Sequence, residues 1–127
     1  VSADVLLPYM TTERLGAGET LFRHGDTADR LYYVMSGRVH IAEFDRYLEK
    51  GALIGEIGLF THERTRTATA IAAEDTQLSW IAHDAVLVLC QKNPEFALVL
   101  TRLIAERMAE NQSVLLARLS AAAKANP

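Results

Sequence analysis

As far as about residue 82 the chain is a series of short β-type runs cut by Gly and Asp turns, and beyond it the sequence turns helical and rich in Ala and Leu. Residues 11–15 read as a strand closed by Gly16-Ala17-Gly18. Residues 20–23 read as a second, ended by the turn His24-Gly25-Asp26, in which Asp26 caps the bend. Residues 30–35 form a third, with Leu31, Tyr33 and Met35 on one face and Tyr32 and Val34 on the other. Ser36-Gly37 has the composition of a two-residue hairpin turn into a strand over 39–44. Asp45-Arg46 then reverses the chain and Tyr47-Leu48 starts back; residues 66–72 and 76–81 complete the series. Short strands at this regular spacing predict a sandwich or barrel.

The helical part has its own start signals. His83-Asp84 offers an N-cap for residues 85–92. Asn93-Pro94 places a capping side chain before a proline at the first helical position, with Glu95 in the first turn. From there a helix can run to about Lys124. Its apolar stripe passes through Leu100, Leu103, Ile104, Met108, Leu115 and Leu119, with Arg107 and Asn111 on or beside it. Near the start of the chain, Pro8 limits residues 4–10 to one short helical turn.

Composition narrows the function. Half of the 127 residues are hydrophobic, enough for a core without covalent staples. The single cysteine, Cys90, excludes an internal disulfide framework and a Cys-rich zinc site, and reads as a small hydrophobe in an apolar helix. A net charge of −3 argues against electrostatic binding to nucleic acid or an anionic membrane as the main role. The longest apolar stretches, 85–90 and 96–100, fall far short of the ~20 residues a membrane helix needs. His62 and Glu63 have no third ligand at useful spacing, so no metal is expected, and there is no nucleophile elbow, HExxH or Walker loop.

The chemistry concentrates in residues 51–69. Gly55-Glu56-Ile57-Gly58 brackets a carboxylate between two glycines, which permit a sharp turn and the close approach of a ligand. If 56–60 form a helical turn, their first N–H groups are unpaired and suit an anion. Ten residues after Glu56 comes Arg66, opening a strand that can bring a phosphate-binding fork beside those groups; Thr67 adds a hydroxyl. Glu56 would repel a phosphate, and its natural partner is a neutral diol such as a ribose. Phosphate and ribose together imply a nucleotide. Arg64 reads as a solvated loop charge, and Trp80 and the tyrosines as core and rim.

At these residues the chain resembles the cyclic nucleotide-binding domains of bacterial catabolite activators, cAMP-dependent kinase regulatory subunits and cyclic-nucleotide-gated channels. Gly18-Glu-Thr-Leu-Phe-Arg-His-Gly-Asp is similar to the family's opening turn, and Leu31-Tyr-Tyr-Val-Met-Ser-Gly-Arg-Val to its next hairpin. Gly55-Glu-Ile-Gly-Leu-Phe followed by Arg66-Thr-Ala-Thr is similar to its phosphate-binding cassette.

The resemblance implies a mainly β fold with flanking helices: a β-roll of the jelly-roll type over 11–82, a short phosphate-binding helix, and C-terminal lid helices over 83–127. Residues 1–10 would be a truncated N-terminal helical segment, and the whole a single domain excised from a longer protein. By carry-over, Glu56 holds the ribose 2′-hydroxyl; the N–H groups of Gly55 to Gly58 and the Arg66 guanidinium hold the cyclic phosphate. Thr67 faces the phosphate or a syn purine. Arg107, Asn111 and, more weakly, Gln112 fall where lid residues reach the pocket, and Arg107 can pair with Glu56. The implied function is a non-enzymatic regulatory sensor of cAMP ahead of cGMP, with no other cofactor. It would be cytoplasmic, would bind no nucleic acid itself, and would act on an effector domain of the parent chain. The segment between Val39 and Gly51 is shorter than the family's pattern, and no helix-turn-helix follows the long helix. The alternative is a vestigial pocket on a docking or dimerisation module, motivated by Leu115, Leu116 and Leu119 on the long helix.

Overall fold

The structure is a computed structural model that describes residues 3–125. A 3-10 helix (Ala3–Tyr9) leads into eight strands: β1 (Thr11–Leu15), β2 (Thr20–Phe22), β3 (Arg30–Ser36), β4 (Val39–Ile41), β5 (Arg46–Leu48), β6 (Leu53–Ile54), β7 (Ala70–Ala72) and β8 (Thr76–Ala82). A one-turn helix, α1 (Glu56–Leu59), follows β6, and α2 (His83–Lys92) and α3 (Pro94–Ala125) follow β8. The strands form two antiparallel four-stranded sheets, ordered β1-β8-β3-β6 and β2-β7-β4-β5. This is the mainly β architecture with flanking helices that the family resemblance implied, and its two sheets answer to the sandwich or barrel that the strand pattern predicted.

The alternation in β3 explains how two cores share one strand. Tyr32 and Val34 pack between the sheets with Phe22, Val39, Ile54 and Leu78. Leu31 packs on the opposite face, with Leu53, Leu59 and Ile81, against Val86, Leu89, Phe96 and Leu100 of the helices. A strand buried on both faces has no solvent side, so its residues run hydrophobic throughout.

Ser36-Gly37 is not a hairpin. β3 pairs with β8 and β6, whereas β4 belongs to the other sheet and pairs with β5 and β7. Gly37, at φ +88°, carries the chain across; a Cβ there would lie 2.5 Å from the Asp75 carbonyl oxygen and from Thr76 Oγ1. The crossing from β7 to β8 runs beside it, and these two are stitched at one acceptor. Ala73 N–H and Thr76 Oγ1 both donate to the Arg38 carbonyl, at 2.9 and 3.1 Å.

Three other boundaries differ from the sequence reading. β4 stops at Ile41, and Ala42–Phe44 is a 3-10 turn closed by Asp45 in the left-handed region at φ 46°. That turn lets Glu43 accept hydrogen bonds from Thr69 N–H (2.7 Å) and Thr69 Oγ1 (2.8 Å). Burial alone would raise the Glu43 carboxyl, but the Thr69 hydrogen bonds outweigh it and hold its pKa below the ordinary value. Residues 66–69 are not strand either, because their backbone groups are committed to loops: Gly25 N–H donates to the Arg66 carbonyl and Arg66 N–H to that of Asp26, at 2.9 and 2.7 Å. Only Ala70–Ala72 joins the sheet. α2 begins at His83 after an extended Ala82, with no side-chain cap. The predicted cap of α3 is present, Asn93 Oδ1 accepting from Phe96 N–H at 3.1 Å.

α3 changes character along its length. Phe96 and Leu100 are in the core, and Leu103 and Ile104 are partly buried. Beyond them Met108, Leu115, Leu116 and Leu119 are exposed. No helix among the described residues is long and apolar enough to cross a membrane.

Candidate nucleotide pocket

β6 delivers the chain to the pocket. Its pairing with β3 fixes Leu53 and Ile54, and Gly55 at φ +85° turns the backbone from strand into α1. A side chain at Gly55 would be strained by that φ, and its Cβ would collide with the Arg66 guanidinium. The segment carrying Arg66 lies directly against α1, since a Cβ on Gly58 would come 2.7 Å from the Thr65 carbonyl oxygen. The turn before β3 fixes this segment from the other side. There Arg23 N–H donates to Asp26 Oδ2 at 2.9 Å, so Asp26 is the turn residue that the sequence suggested.

Arg66 is 3% exposed. Its Nη2 donates to the Arg30 carbonyl at 2.9 Å and its Nη1 to the Gly55 carbonyl at 3.3 Å. The guanidinium carbon lies 4.2 Å from the Phe22 ring centre and 5.6 Å from that of Tyr32. It has no ion-pair partner among the described residues, and its buried Nε–H donates to nothing. Burial pushes its pKa below the ordinary arginine value, partly offset by Tyr32, Asp29, Asp26 and Glu56. Arginine remains protonated all the same. The result is a buried cation with a free donor and no carboxylate in contact with it among the described residues.

Glu56 is also buried, at 2% exposure, and it is paired. Arg107 of α3 donates through Nη1 to Glu56 Oε1 at 2.8 Å and to the Leu53 carbonyl at 2.6 Å. α3 is thus tied to the strand–helix turn by the pair that the family resemblance implied. One turn on, Asn111 also lines the pocket, and its buried Oδ1 accepts no hydrogen bond. Gly55, Glu56, Ile57, Gly58, Arg66, Thr67, Arg107 and Asn111 therefore border one cavity, Thr67 from an exposed position. Gln112 does not; it lines a neighbouring groove with Met108 and Leu115.

The other wall comes from residues that the sequence reading did not single out: Ile41, Phe44, Arg46 and Leu48. Arg46 pairs with Glu110 of α3 at 3.3 Å, and Arg118 Nη1 donates to the Glu43 carbonyl further along. The signal for Arg46 was its i, i+2 spacing from Leu48, which places both on one face of a strand. Tyr47 lies on the other face, stacked on His40 at 4.6 Å. The cavity encloses about 50 Å³ in this conformation, far below the roughly 300–1,000 Å³ of typical ligand sites.

His24, His62 and Glu63 are exposed, and no group of three metal-ligating side chains occurs among the described residues. Arg30, not a ligand, covers the Trp80 ring at 3.9 Å, which makes Trp80 a rim residue away from the pocket. Cys90 is half-buried against the helical core, and burial raises its thiol pKa.

Comparison with known proteins gives the chain its relatives. The chain is 34% identical over 115 residues to the cyclic AMP receptor protein of Thermus thermophilus, covering 84% of this chain and 53% of that one. It is 32% identical over 104 residues to a lysophospholipase, nte1, of Aspergillus fumigatus, covering 75% of this chain and only 7% of the relative. The chain thus spans a small part of one relative and about half of the other. The crystal structure of the Thermus thermophilus catabolite activator protein superposes with a TM-score of 0.75 at 32% identity, covering 93% of this chain and 58% of that one. Residues 12–93 match the family model of the cyclic nucleotide-binding domain, a span that runs from β1 through the pocket to the end of α2. The chain belongs to the cyclic nucleotide-binding domain family, a family of regulatory modules.

Proposed function

We propose that this chain senses a cyclic nucleotide, cAMP in preference to cGMP, in the pocket between α1, Arg66 and α3, and reports binding by movement of α3. The observation that carries the reading is the unpaired buried guanidinium of Arg66. A buried cation without a partner is costly unless an anion completes it. Charge supports a monoanion. Three arginines line the pocket, and Glu56 and Glu110 neutralise Arg107 and Arg46, leaving one positive charge at Arg66. A cyclic phosphodiester carries one negative charge; a phosphomonoester such as AMP carries about −1.5 to −2. The Gly55 to Gly58 backbone would add N–H donors to the phosphate, and Glu56 Oε2 would accept from the ribose 2′-hydroxyl. The unpaired Asn111 Oδ1 suits a base edge that donates. Adenine presents an amine at position 6, where guanine presents an acceptor oxygen.

The small cavity supports the lid. In this reading α3 moves outward to admit the nucleotide. Ligand can drive that shift only by its differential affinity for the two helix positions. In this reading the protein acts in the cytoplasm, through an effector domain, without catalysis of its own.

Thermal unfolding with saturating cAMP, cGMP and AMP tests the ligand. At 100 times its dissociation constant a ligand stabilises by about 2.7 kcal/mol, roughly a 10 °C rise for a domain of this size. The expected order is cAMP above cGMP, with AMP near zero. No rise with any of the three, on protein shown free of co-purified nucleotide, would sink the sensor reading.

One observation favours a second reading, an interaction module. The exposed face of α3 carries Thr101, Ala105, Met108, Gln112, Leu115 and Leu119 at alternating steps of four and three, the seam of a two-helix coiled coil. Light scattering should show twice the 14.0 kDa chain mass if this seam pairs two copies. A dimer that is indifferent to nucleotide, in protein that shows no thermal shift, would favour the interaction module over the sensor.

A further inference from the structure

Arg46 is the pocket guanidinium to which neither the phosphate site nor the Arg107–Glu56 tie gives a role. β5 pairs with β4 so that Arg46 stands opposite Ile41, and both line the cavity together with Phe44 and Leu48. Its side chain is only 20% exposed, yet its partner Glu110 is 59% exposed and 3.3 Å away, a contact that solvent screens. Its guanidinium carbon stands 6.0 Å from the Phe44 ring centre, at the outer limit of a cation–π contact. A planar cation thus sits in an apolar wall with no tight protein partner. Guanidinium planes are suited to the π face of a base, and the weakly held carboxylate can release this one.

We propose that Arg46 covers the face of the bound purine, leaving Glu110 when the base arrives. The inference rests on the nucleotide reading above and extends it, since it assigns to β5 the base contact that the glycine turn and Arg66 do not supply. Face contact is tolerant of base identity, so Arg46 contributes affinity for adenine and guanine alike. Selection between them is left to the edge, where Asn111 stands.

The test is calorimetric titration of the full chain and of Arg46→Ala, Arg46→Lys and Glu110→Gln with three probes: cAMP, cGMP, and ribose 3′,5′-cyclic phosphate lacking a base. Arg46→Ala is expected to bind cAMP and cGMP about tenfold more weakly and the baseless probe unchanged. Arg46→Lys, which keeps the charge but not the plane, should lose nearly as much. Glu110→Gln should bind as well as wild type or better, because it frees the guanidinium. Unfolding without ligand checks that each variant is folded, and Arg46→Lys keeps the test valid if the alanine variant is not. The proposal is overturned by wild-type affinity in both Arg46 variants, by a loss confined to cGMP, or by an equal loss for the baseless probe. It is also overturned if Glu110→Gln weakens binding as much as Arg46→Ala, which would make the pair a lid latch. A wild-type chain that binds none of the probes defeats the nucleotide reading itself, whereas a binding wild type with insensitive Arg46 variants defeats this inference alone.

Discussion

Arg66→Ala is expected to weaken cyclic nucleotide binding by roughly 30- to several-thousand-fold, the 2–5 kcal/mol typical of losing one partner of a buried charge pair. The loss should be large because the phosphate would enter a site where Arg66 is the one arginine without an ion pair. Arg107 is committed to Glu56 at 2.8 Å and cannot turn to the phosphate without stranding that buried carboxylate. Arg46 stands on the opposite wall of the cavity, on β5 beside Ile41 and Leu48. Arg66→Lys should recover only part of the affinity, since an ammonium keeps the charge but not the two-pronged fork. The fold should survive both changes. Arg66 holds its place through two carbonyl hydrogen bonds and the Phe22 face, while its backbone pairing with Gly25 and Asp26 needs no particular side chain. Titration by calorimetry, with circular dichroism as the fold control, gives the answer. Wild-type affinity in the alanine variant would remove the phosphate site from Arg66.

What the sequence revealed and what it hid divide along a physical line. Gly55-Glu56-Ile57-Gly58 and Arg66 were legible because their geometry is local: a left-handed glycine, one helical turn and a fixed span of chain. The cap of α3 was legible for the same reason. Ser36-Gly37 was misread because a hairpin turn and a crossing between sheets ask for the same two residues. Only the distant partners, β8 for β3 and β7 for β4, decide between them. Residues 66–69 look like strand by composition, but hydrogen bonds to the Gly25-Asp26 turn and to Glu43 take their backbone away from the ladder. Arg46 read as half of a tight reversal. Its spacing from Leu48 puts the two on one face of a strand, but which face meets the pocket is decided by the register opposite Ile41.

Arg107→Ala is expected to lower the unfolding temperature by about 10 °C or more, because it strands a carboxylate that is 2% exposed. Removing one partner of a buried ion pair typically costs about 3–5 kcal/mol, and here the lost donor also served the Leu53 carbonyl. The pair is buried on both sides, with side-chain exposures of 12% and 3%, so solvent offers little relief. Glu56→Gln added to Arg107→Ala should restore much of the loss, since a neutral amide does not need a counter-ion, and the double-mutant cycle should show coupling of about 2 kcal/mol or more. Additive effects would mean that the pair is incidental. The same variant separates capture from transmission. In the proposed reading phosphate capture belongs to Arg66 and α1, whereas Arg107 is the tie between α1 and α3. Arg107→Ala should therefore still bind cyclic nucleotide, yet binding should no longer change hydrogen-exchange protection over residues 108–124, as it is expected to do in the wild type. If protection still responds fully to ligand, the signal reaches α3 through the β5 wall and Arg46 instead of through Glu56.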